Sequence, residues 1–373
     1  MSRIKVLVVD DSVVIRKLVT DLLGSDPDIE VVGTAVNGLA AQSKVTLLRP
    51  DLITMDVEMP VLDGIEAVRQ LRAAGSTVPI IMFSTLTERG ATATLDALAA
   101  GATDYVAKPA NVGSVGQSMQ QVRDALIPRI KALVPLRRAL PPLPEQPVAR
   151  PRAAVPAQVA LRPRTPTPLG GHRLLVVGSS TGGPEALTTL FAGLPPLPVP
   201  VAVVQHMPPI FTRQFATRLD RRFAATFREV EHGDVLRPGT VSIAPGDHHL
   251  AVHQRGGELV AQLSQGPAEN YCRPAVDVLF RTAAEALGDR VLGVVLTGMG
   301  QDGCLGSRTL VDAGGSVVVQ DERTSVVWGM PGAVAQAGLA EAVLPLDEIA
   351  AELLRRLGTG PTASTHQPAG ASR

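Results

Sequence analysis

The stretch whose reading decides the fold is Arg173 to Gly183, RLLVVGSSTGG. A run of apolar β-formers ends there abruptly in small, hydroxyl-bearing and glycine residues, which predicts a buried strand followed by a tight turn. Pro184 to Leu190 follows, with Pro at a first helical position and Glu185 in the first turn, so the turn opens a helix. Ser179, Ser180 and Thr181 are thereby placed at the carboxyl end of a strand, where open α/β sheets hold their ligands. The turn lacks the Lys-Ser/Thr of a Walker loop and the spacing of GxGxxG, which argues against nucleotide binding. The hydroxyls then serve either as caps for the helix or as a nucleophile, and a nucleophile needs a His and usually a carboxylate from elsewhere in the chain.

Outward from that turn, the chain has 373 residues, with 35 Lys+Arg against 35 Asp+Glu. This is length for two or three domains, and there is no global basic field to attract nucleic acid. Two cysteines, Cys272 and Cys304, without metal-type spacing, suit a reducing compartment. The amino-terminal apolar run stops at Asp10-Asp11, too short for a signal peptide, and no apolar run has membrane-spanning length. A cytoplasmic protein with no direct membrane insertion is the expectation.

The amino-terminal part alternates strands with helical patterns. Ile4 to Val9 is a continuous β-branched run ending in Asp10-Asp11-Ser12, as expected of a strand buried on both faces of a parallel sheet. Similar units end at Gly33, with a helix from about Asn37, then at Asp56, at Ser84 and at Lys108. Five strands in this pattern make a doubly wound α/β domain. Any one acid at a strand end is an ordinary solvated loop residue. Asp10, Asp11 and Asp56 converging on one sheet edge would repel each other unless a cation sat among them, and their hard oxygen ligands suit Mg²⁺. Such a site invites phosphoryl chemistry, with Asp56 as nucleophile and with Lys108 and the Ser84 hydroxyl holding the transferred oxygens.

At these residues the first ~125 positions resemble a two-component receiver domain: DDS, MDVEMPVLDG, the serine after PIIMF, and KP occupy the family's places. The resemblance implies a flavodoxin-like fold and phosphorylation of Asp56 by a histidine kinase partner. Tyr105 falls where such domains place a rotating aromatic switch; on its own residue chemistry it is equally a half-buried core tyrosine.

Pro135 to Pro168 is dense in Pro among Ala and Arg, cannot bury a core, and reads as a semi-rigid linker whose arginines keep it solvated or dock on an acidic partner. The expected organisation is a domain over 1–125, a Pro-rich linker over 135–170, a second α/β domain over 171–358 and a disorder-prone tail over 359–373, which holds His366.

In the second domain, Val199 to Val204 is another buried strand, and His206 follows at its carboxyl end. His232, His248, His249 and His253 compete as general base, the last three in a polar turn and strand of hairpin type around Pro245-Gly246-Asp247; position favours His206. Val291 to Leu296 is the strongest apolar strand of this half, and the TGMGQDG turn after it carries Asp302, either a helix cap or a catalytic carboxylate. A Ser, a His and an Asp at the ends of three neighbouring parallel strands describe a hydrolase triad. The order Ser, His, Asp is not that of α/β-hydrolases, and GSSTGG is not GxSxG. Backbone N–H groups of the two glycine turns, near Thr181 and Met299, are the candidate oxyanion donors. Cys304 reads as packing, since no basic neighbour in sequence would lower its pKa.

These residues resemble the CheB family of chemotaxis protein-glutamate methylesterases. VVGSSTGGPEAL, QHMPPIFT, APGDHHL, RPAVDVLF and LTGMGQDG occur in the family's order behind the receiver, so the likeness spans nearly the whole chain. It implies a Rossmann-like catalytic domain, places Ser180 rather than Ser179 in register as nucleophile, and gives His206 as base and Asp302 as its orienting residue. It further implies hydrolysis of glutamate methyl esters on chemoreceptors, deamidation of receptor glutamines, and no cofactor for ester hydrolysis. One departure is Ser179, where the family commonly has Ala. The rival reading is a response regulator whose second half binds a protein and does no chemistry; a DNA-binding output is disfavoured by the absence of a helix-turn-helix pattern or basic stripe.

Overall fold

The computed structural model describes residues 3–108, 115–134, 161–166, 168 and 171–358. Most of the expected linker, and the whole tail with His366, lie outside the described residues. The amino-terminal part runs β1 (Ile4–Val9), α1 (Val13–Gly24), β2 (Ile29–Ala35), α2 (Gly38–Leu48), β3 (Leu52–Asp56), α3 (Gly64–Ala73), β4 (Ile80–Ser84), α4 (Glu88–Ala99), β5 (Asp104–Ala107) and α5 (Val115–Leu133). The strands pair in parallel in the order β2-β1-β3-β4-β5. Chain direction across the sheet reverses between β1 and β3, so the residues after those strands face one crevice, the position at which doubly wound sheets bind ligands. Ser12, Asn37, Asp63 and Thr87 cap their helices with side-chain acceptors, each contributing about 1 kcal/mol.

A receiver ending at residue 125 is too short: α5 continues through Pro128 to Leu133. The turns around and beyond the proline are held to the domain by charge, with Arg129 Nε 3.1 Å from Asp104 Oδ2 and Lys131 Nζ 2.9 Å from Asp26 and 2.8 Å from Asp28. The linker assignment over 135–170 also changes at its far end. Arg162 N–H donates to Ala340 O (2.9 Å), Thr165 donates through N–H and Oγ1 to Glu341 Oε1 (3.1 and 2.6 Å), and the Arg162 guanidinium lies 3.6 Å from the same carboxylate. Arg162 therefore docks on an acid of its own chain, and the second domain begins before residue 171.

That domain contains β6 (Leu174–Ser179), α6 (Gly183–Ala192), β7 (Val201–Gln205), α7 (Pro209–Arg222), β8 (Thr226–Glu229), β9 (Thr240–Ile243), β10 (His249–Arg255), β11 (Glu258–Ser264), α8 (Val276–Leu287), β12 (Val291–Val295), α9 (Cys304–Asp312), β13 (Ser316–Gln320), α10 (Met330–Gln336), β14 (Ala342–Leu344) and α11 (Leu346–Arg356). Seven strands form an all-parallel sheet in the order β14-β13-β12-β6-β7-β9-β8. Strands β6, β7 and β12 are buried at every position, which is why their sequences are continuous apolar runs rather than alternating ones. The strand order reverses between β6 and β12, and the turns that follow these two strands flank the crevice there. A separate antiparallel hairpin, β10 with β11, turns at Gly256-Gly257. The expected hairpin around Pro245-Gly246-Asp247 is thus displaced: that segment links β9 of the large sheet to β10 of the hairpin.

The two domains touch. Helix α4 packs on α7, the Tyr105 and Phe211 rings stack 4.5 Å apart at 12°, Thr181 Oγ1 donates to Asp104 Oδ2 (3.0 Å), and Arg218 pairs with Asp96.

Candidate active site

The turn after β6 spends its three hydroxyls differently. Ser179 is fully buried, and its Oγ donates to Gln205 Oε1 (2.7 Å). Thr181 Oγ1 is committed to Asp104 across the domain interface. Ser180 lines an open cleft, and its Oγ has no hydrogen-bond partner among the described residues. None of them caps α6: the cap position is Gly182, held at φ 76°, and it makes no side-chain cap bond. The helix-cap use of these serines is therefore excluded, and Gly182 supplies the left-handed backbone that a side chain would strain.

His206 begins the segment after β7. Its Nε2 donates to Asp302 Oδ2 (2.8 Å), so the neutral imidazole carries its lone pair on Nδ1, and the Cys272 thiol lies 3.5 Å from that atom. Asp302 does not cap α9 from its own cap position, which is Gly303. Its carboxylate is cradled where two helices begin: Oδ2 accepts from Val276 N–H (2.6 Å), and Oδ1 accepts from Asp277 N–H (3.1 Å), Gly303 N–H (3.0 Å) and Asn270 Nδ2 (3.0 Å). Burial raises its pKa, but the His206 hydrogen bond and charge and these N–H donors outweigh it and hold the pKa below the ordinary carboxylate range. Neighbouring Asp277 shifts the other way, raised by burial and by the charge of Asp302.

Burial disfavours the imidazolium of His206. The Asp302 and Cys272 contacts outweigh that cost, and the pKa is pushed up to about 9. An imidazole must be neutral to accept a proton, so below about 9 the imidazolium predominates, and any step that uses His206 as base would speed up with pH as it deprotonates. For any hydrolysis that uses His206 as its base, kcat/KM measured across pH 6 to 10 is expected to rise with a midpoint near this value to a plateau above it. Asp302→Asn should move the midpoint down towards the unperturbed histidine value of about 6.5 while lowering the plateau. An unchanged midpoint in Asp302→Asn would separate the pH dependence from this pair.

No hydrogen bond joins Ser180 to His206 in this conformation, although both line one cleft of about 820 Å³. Of the competing histidines, His249, buried, bridges Pro267 O (2.9 Å) and Ala275 N–H (3.2 Å), His232 accepts from Leu263 N–H, and His248 Nδ1 lies 3.3 Å from Gly246 O. The glycine turn after β12 packs against the serine, since a Cβ on Gly298 would sit 2.9 Å from Ser180 Cβ. Ser180 N–H donates to Thr297 O and Gly298 N–H to Val327 O, whereas Thr181 and Met299 N–H have no acceptor among the described residues. Cys304 packs under Ala333 O (3.6 Å), with burial raising its pKa.

Sequence reasoning missed Asn270, Asp277, Gln205 and Asp104. Gln205 straps the turn after β6, accepting from Ser179 and donating through Nε2 to Ser180 O (3.0 Å). Only the adjacency of Gln205 to His206 and the place of Asp277 inside the RPAVDVLF run carried any signal.

In the receiver, ligand oxygens of Asp10, Asp11 and Asp56 lie within 4.8 Å of one another. Lys108 Nζ is 2.7 Å from Asp56 and 3.1 Å from Asp10. Burial raises the Asp56 pKa, with the Asp10 charge adding to it against Lys108. A divalent cation fits this all-oxygen set and would offset the repulsion. Ser84 does not face Asp56 here: its Oγ donates to Gly90 O (3.1 Å) and accepts from Thr94 (2.6 Å). Tyr105 is buried in the domain interface on Phe211 rather than in the receiver core.

Comparison with known proteins agrees with this layout. A family model described as CheB methylesterase matches residues 175–353, and one described as response regulator receiver domain matches residues 6–120. A protein-glutamate methylesterase/protein-glutamine glutaminase of Nocardioides sp. is 69% identical over 357 residues, spanning 96% of this chain and 96% of its own. Another, from Trichodesmium erythraeum, is 44% identical over 361 residues, spanning 96% of this chain and 100% of its own. The crystal structure of the Thermotoga maritima CheB methylesterase catalytic domain is 42% identical and covers 50% of this chain and 98% of that one, with a TM-score of 0.49.

Proposed function

Because the chain belongs to the CheB family of protein-glutamate methylesterases/protein-glutamine glutaminases, we propose that Ser180, His206 and Asp302 perform its ester hydrolysis and that Asp56 receives the activating phosphoryl group. The protein hydrolyses glutamate methyl esters on chemoreceptors and deamidates receptor glutamines under the control of its receiver domain. The observation that carries the residue assignment is the uncommitted Ser180 hydroxyl in the cleft it shares with the His206–Asp302 pair.

Ser180 Oγ attacks the ester carbonyl carbon as His206 Nδ1 takes its proton, and Asp302 steadies the resulting imidazolium. The carbonyl oxygen becomes an oxyanion facing Thr181 and Met299 N–H. On collapse the C–O bond to methoxide breaks, and His206 returns the proton, releasing methanol. Water then adds to the acyl-enzyme, giving a proton to His206, and Ser180 Oγ departs with that proton, leaving a glutamate carboxylate. With a glutamine side chain the first leaving group is ammonia, protonated from the same nitrogen.

For Asp56, Mg²⁺ held by Asp10, Asp11 and Asp56 would neutralise phosphoryl charge. Lys108, already on Asp56 and Asp10, is placed to hold a transferred oxygen, and the donor would be a histidine kinase.

The receiver wall of the cleft makes inhibition a matter of position. Its contacts include one aromatic stack, worth about 0.5–1.5 kcal/mol, one hydroxyl-carboxylate bond and a half-exposed ion pair worth under about 1 kcal/mol, beside the packing of α4 on α7. A closed state favoured by only ~1.4 kcal/mol would correspond to about tenfold in open population. A fragment beginning near residue 160, which keeps the Arg162 and Thr165 contacts, should therefore release methanol from methylated receptors about tenfold faster than the unphosphorylated full-length protein. A folded fragment that is no faster would rule out inhibition by occlusion, and a fragment that releases no methanol would remove the esterase assignment itself.

A further inference from the structure

The segment before α8 is a tight turn. Glu269 and Cys272 exchange both backbone hydrogen bonds (3.1 and 2.8 Å), and the two residues between them have left-handed backbones, Asn270 at φ 52° and Tyr271 at φ 62°. The turn is anchored on three sides. Glu269 pairs with Arg281 of α8 (2.8 Å), Asn270 Nδ2 donates to Asp277 (2.8 Å) and to Asp302 (3.0 Å), and Cys272 lies against His206. With the other members tied down, Tyr271 stands out, 103% exposed. A large aromatic residue held fully in water on a backbone that favours glycine gives up stability without any intramolecular return, a pattern that belongs to binding sites.

Tyr271 forms the divide between two depressions. One is the catalytic cleft with Ser180 and His206, whose other wall is the receiver; the second is a groove towards Trp328, Gln301 and Gln336 that no receiver residue lines. The Trp328 ring is fixed, with Nε1 donating to Gln320 O (2.9 Å) and with Gly332 close against its face. The groove carries no ionised side chain, and at Gly300 an added Cβ would meet open space.

We propose that Tyr271 is the substrate-docking residue and that the groove between it and Trp328 receives the receptor helix carrying the scissile ester. The proposal rests on the methylesterase reading and adds the surface that distinguishes a receptor from a small ester. The occupant follows from continuity: the groove adjoins the cleft where the ester must lie, and side chains three or four residues along a helix share the face of the reacting one. A ring at the divide is thus positioned to pack one turn away from the ester, while Gln301 and Gln336 suit the neutral amide and ester side chains around it. An aromatic anchor at the centre of a docking surface carries a large share of its affinity.

The test uses full-length protein activated with acetyl phosphate and Mg²⁺, and compares methanol release from methylated receptor with release from N-acetyl-glutamate γ-methyl ester. Tyr271→Gly removes the ring and relieves the backbone, so the melting temperature should be equal or higher while kcat/KM on receptor falls about tenfold through KM. The small ester should be turned over within about twofold of wild type, and Tyr271→Phe should retain receptor activity. Equal losses on both substrates, or no loss on receptor, would overturn the proposal. If the wild-type protein releases methanol from receptors and Tyr271→Gly does so equally well, only the docking role fails. If the wild-type protein releases none, the esterase reading fails and takes the docking role with it.

Discussion

Ser180→Ala is expected to lower methanol release from methylated receptor by at least ~10³-fold, and His206→Ala by a similar order, because members of such a unit lose their effect together. The serine change is small and faces the cleft, so the fold should be intact by circular dichroism and melting temperature. Ser179→Ala is the informative control. Its hydroxyl is buried on Gln205, so its loss should cost about 1 kcal/mol of stability and leave the chemistry largely in place. The opposite pattern, with Ser179→Ala inactive and Ser180→Ala active, would reassign the nucleophile. His249→Ala should act through stability alone, since that ring is spent on Pro267 O and Ala275 N–H. Double replacement of Ser180 and His206 should be scarcely worse than either alone, the mark of groups that act in one step.

Complete loss of phosphorylation is expected for Asp56→Asn. The amide preserves the shape of the buried side chain beside Lys108 and Asp10 but cannot attack phosphorus or hold a divalent cation as well as a carboxylate. Incubation with labelled acetyl phosphate and Mg²⁺ should label wild type with a hydroxylamine-labile acyl phosphate, and Asp56→Asn not at all. Chelation of the metal should abolish labelling of wild type. Acid-stable label that survives in Asp56→Asn would place the phosphoryl group on a hydroxyl and sink the assignment. The same variant should retain the unphosphorylated level of methanol release, which separates a failure of signalling from a failure of catalysis.

The positions of Ser180, His206, Asp56 and Lys108 were legible because a parallel strand buried on both faces is an uninterrupted apolar run, and its end is marked by the first polar or glycine residue. Each assigned group stands within a few positions of such an end. Groups acting across the chain left no comparable mark. Asn270 reads as an ordinary loop residue, yet its amide reaches Asp302 32 positions away, and Asp277 reads as a first-turn acid of α8. Pro128 looks like a terminus of α5, but the ion pairs of Arg129 and Lys131 secure the turn that follows it. Ser84 and Tyr105 sit where the receiver pattern puts them, while their side chains point towards Thr94 and Phe211, a fact of three-dimensional packing that spacing does not encode.

The hydrogen bond from Thr181 to Asp104 has a consequence for the receiver itself. It joins the residue after Ser180 to the start of β5, the strand whose far end leads to Lys108 at Asp56. If phosphorylation loosens this contact and thereby exposes the cleft, equilibrium linkage demands the converse by the same factor. A ligand that fills the cleft at Ser180 must displace Asp104 and so favour the phosphorylated form of the receiver. A non-reactive phosphoryl mimic such as beryllofluoride should then bind Asp56 more tightly when an ester analogue occupies Ser180, making a crowded receptor array a positive effector of the signal that sends the enzyme to it.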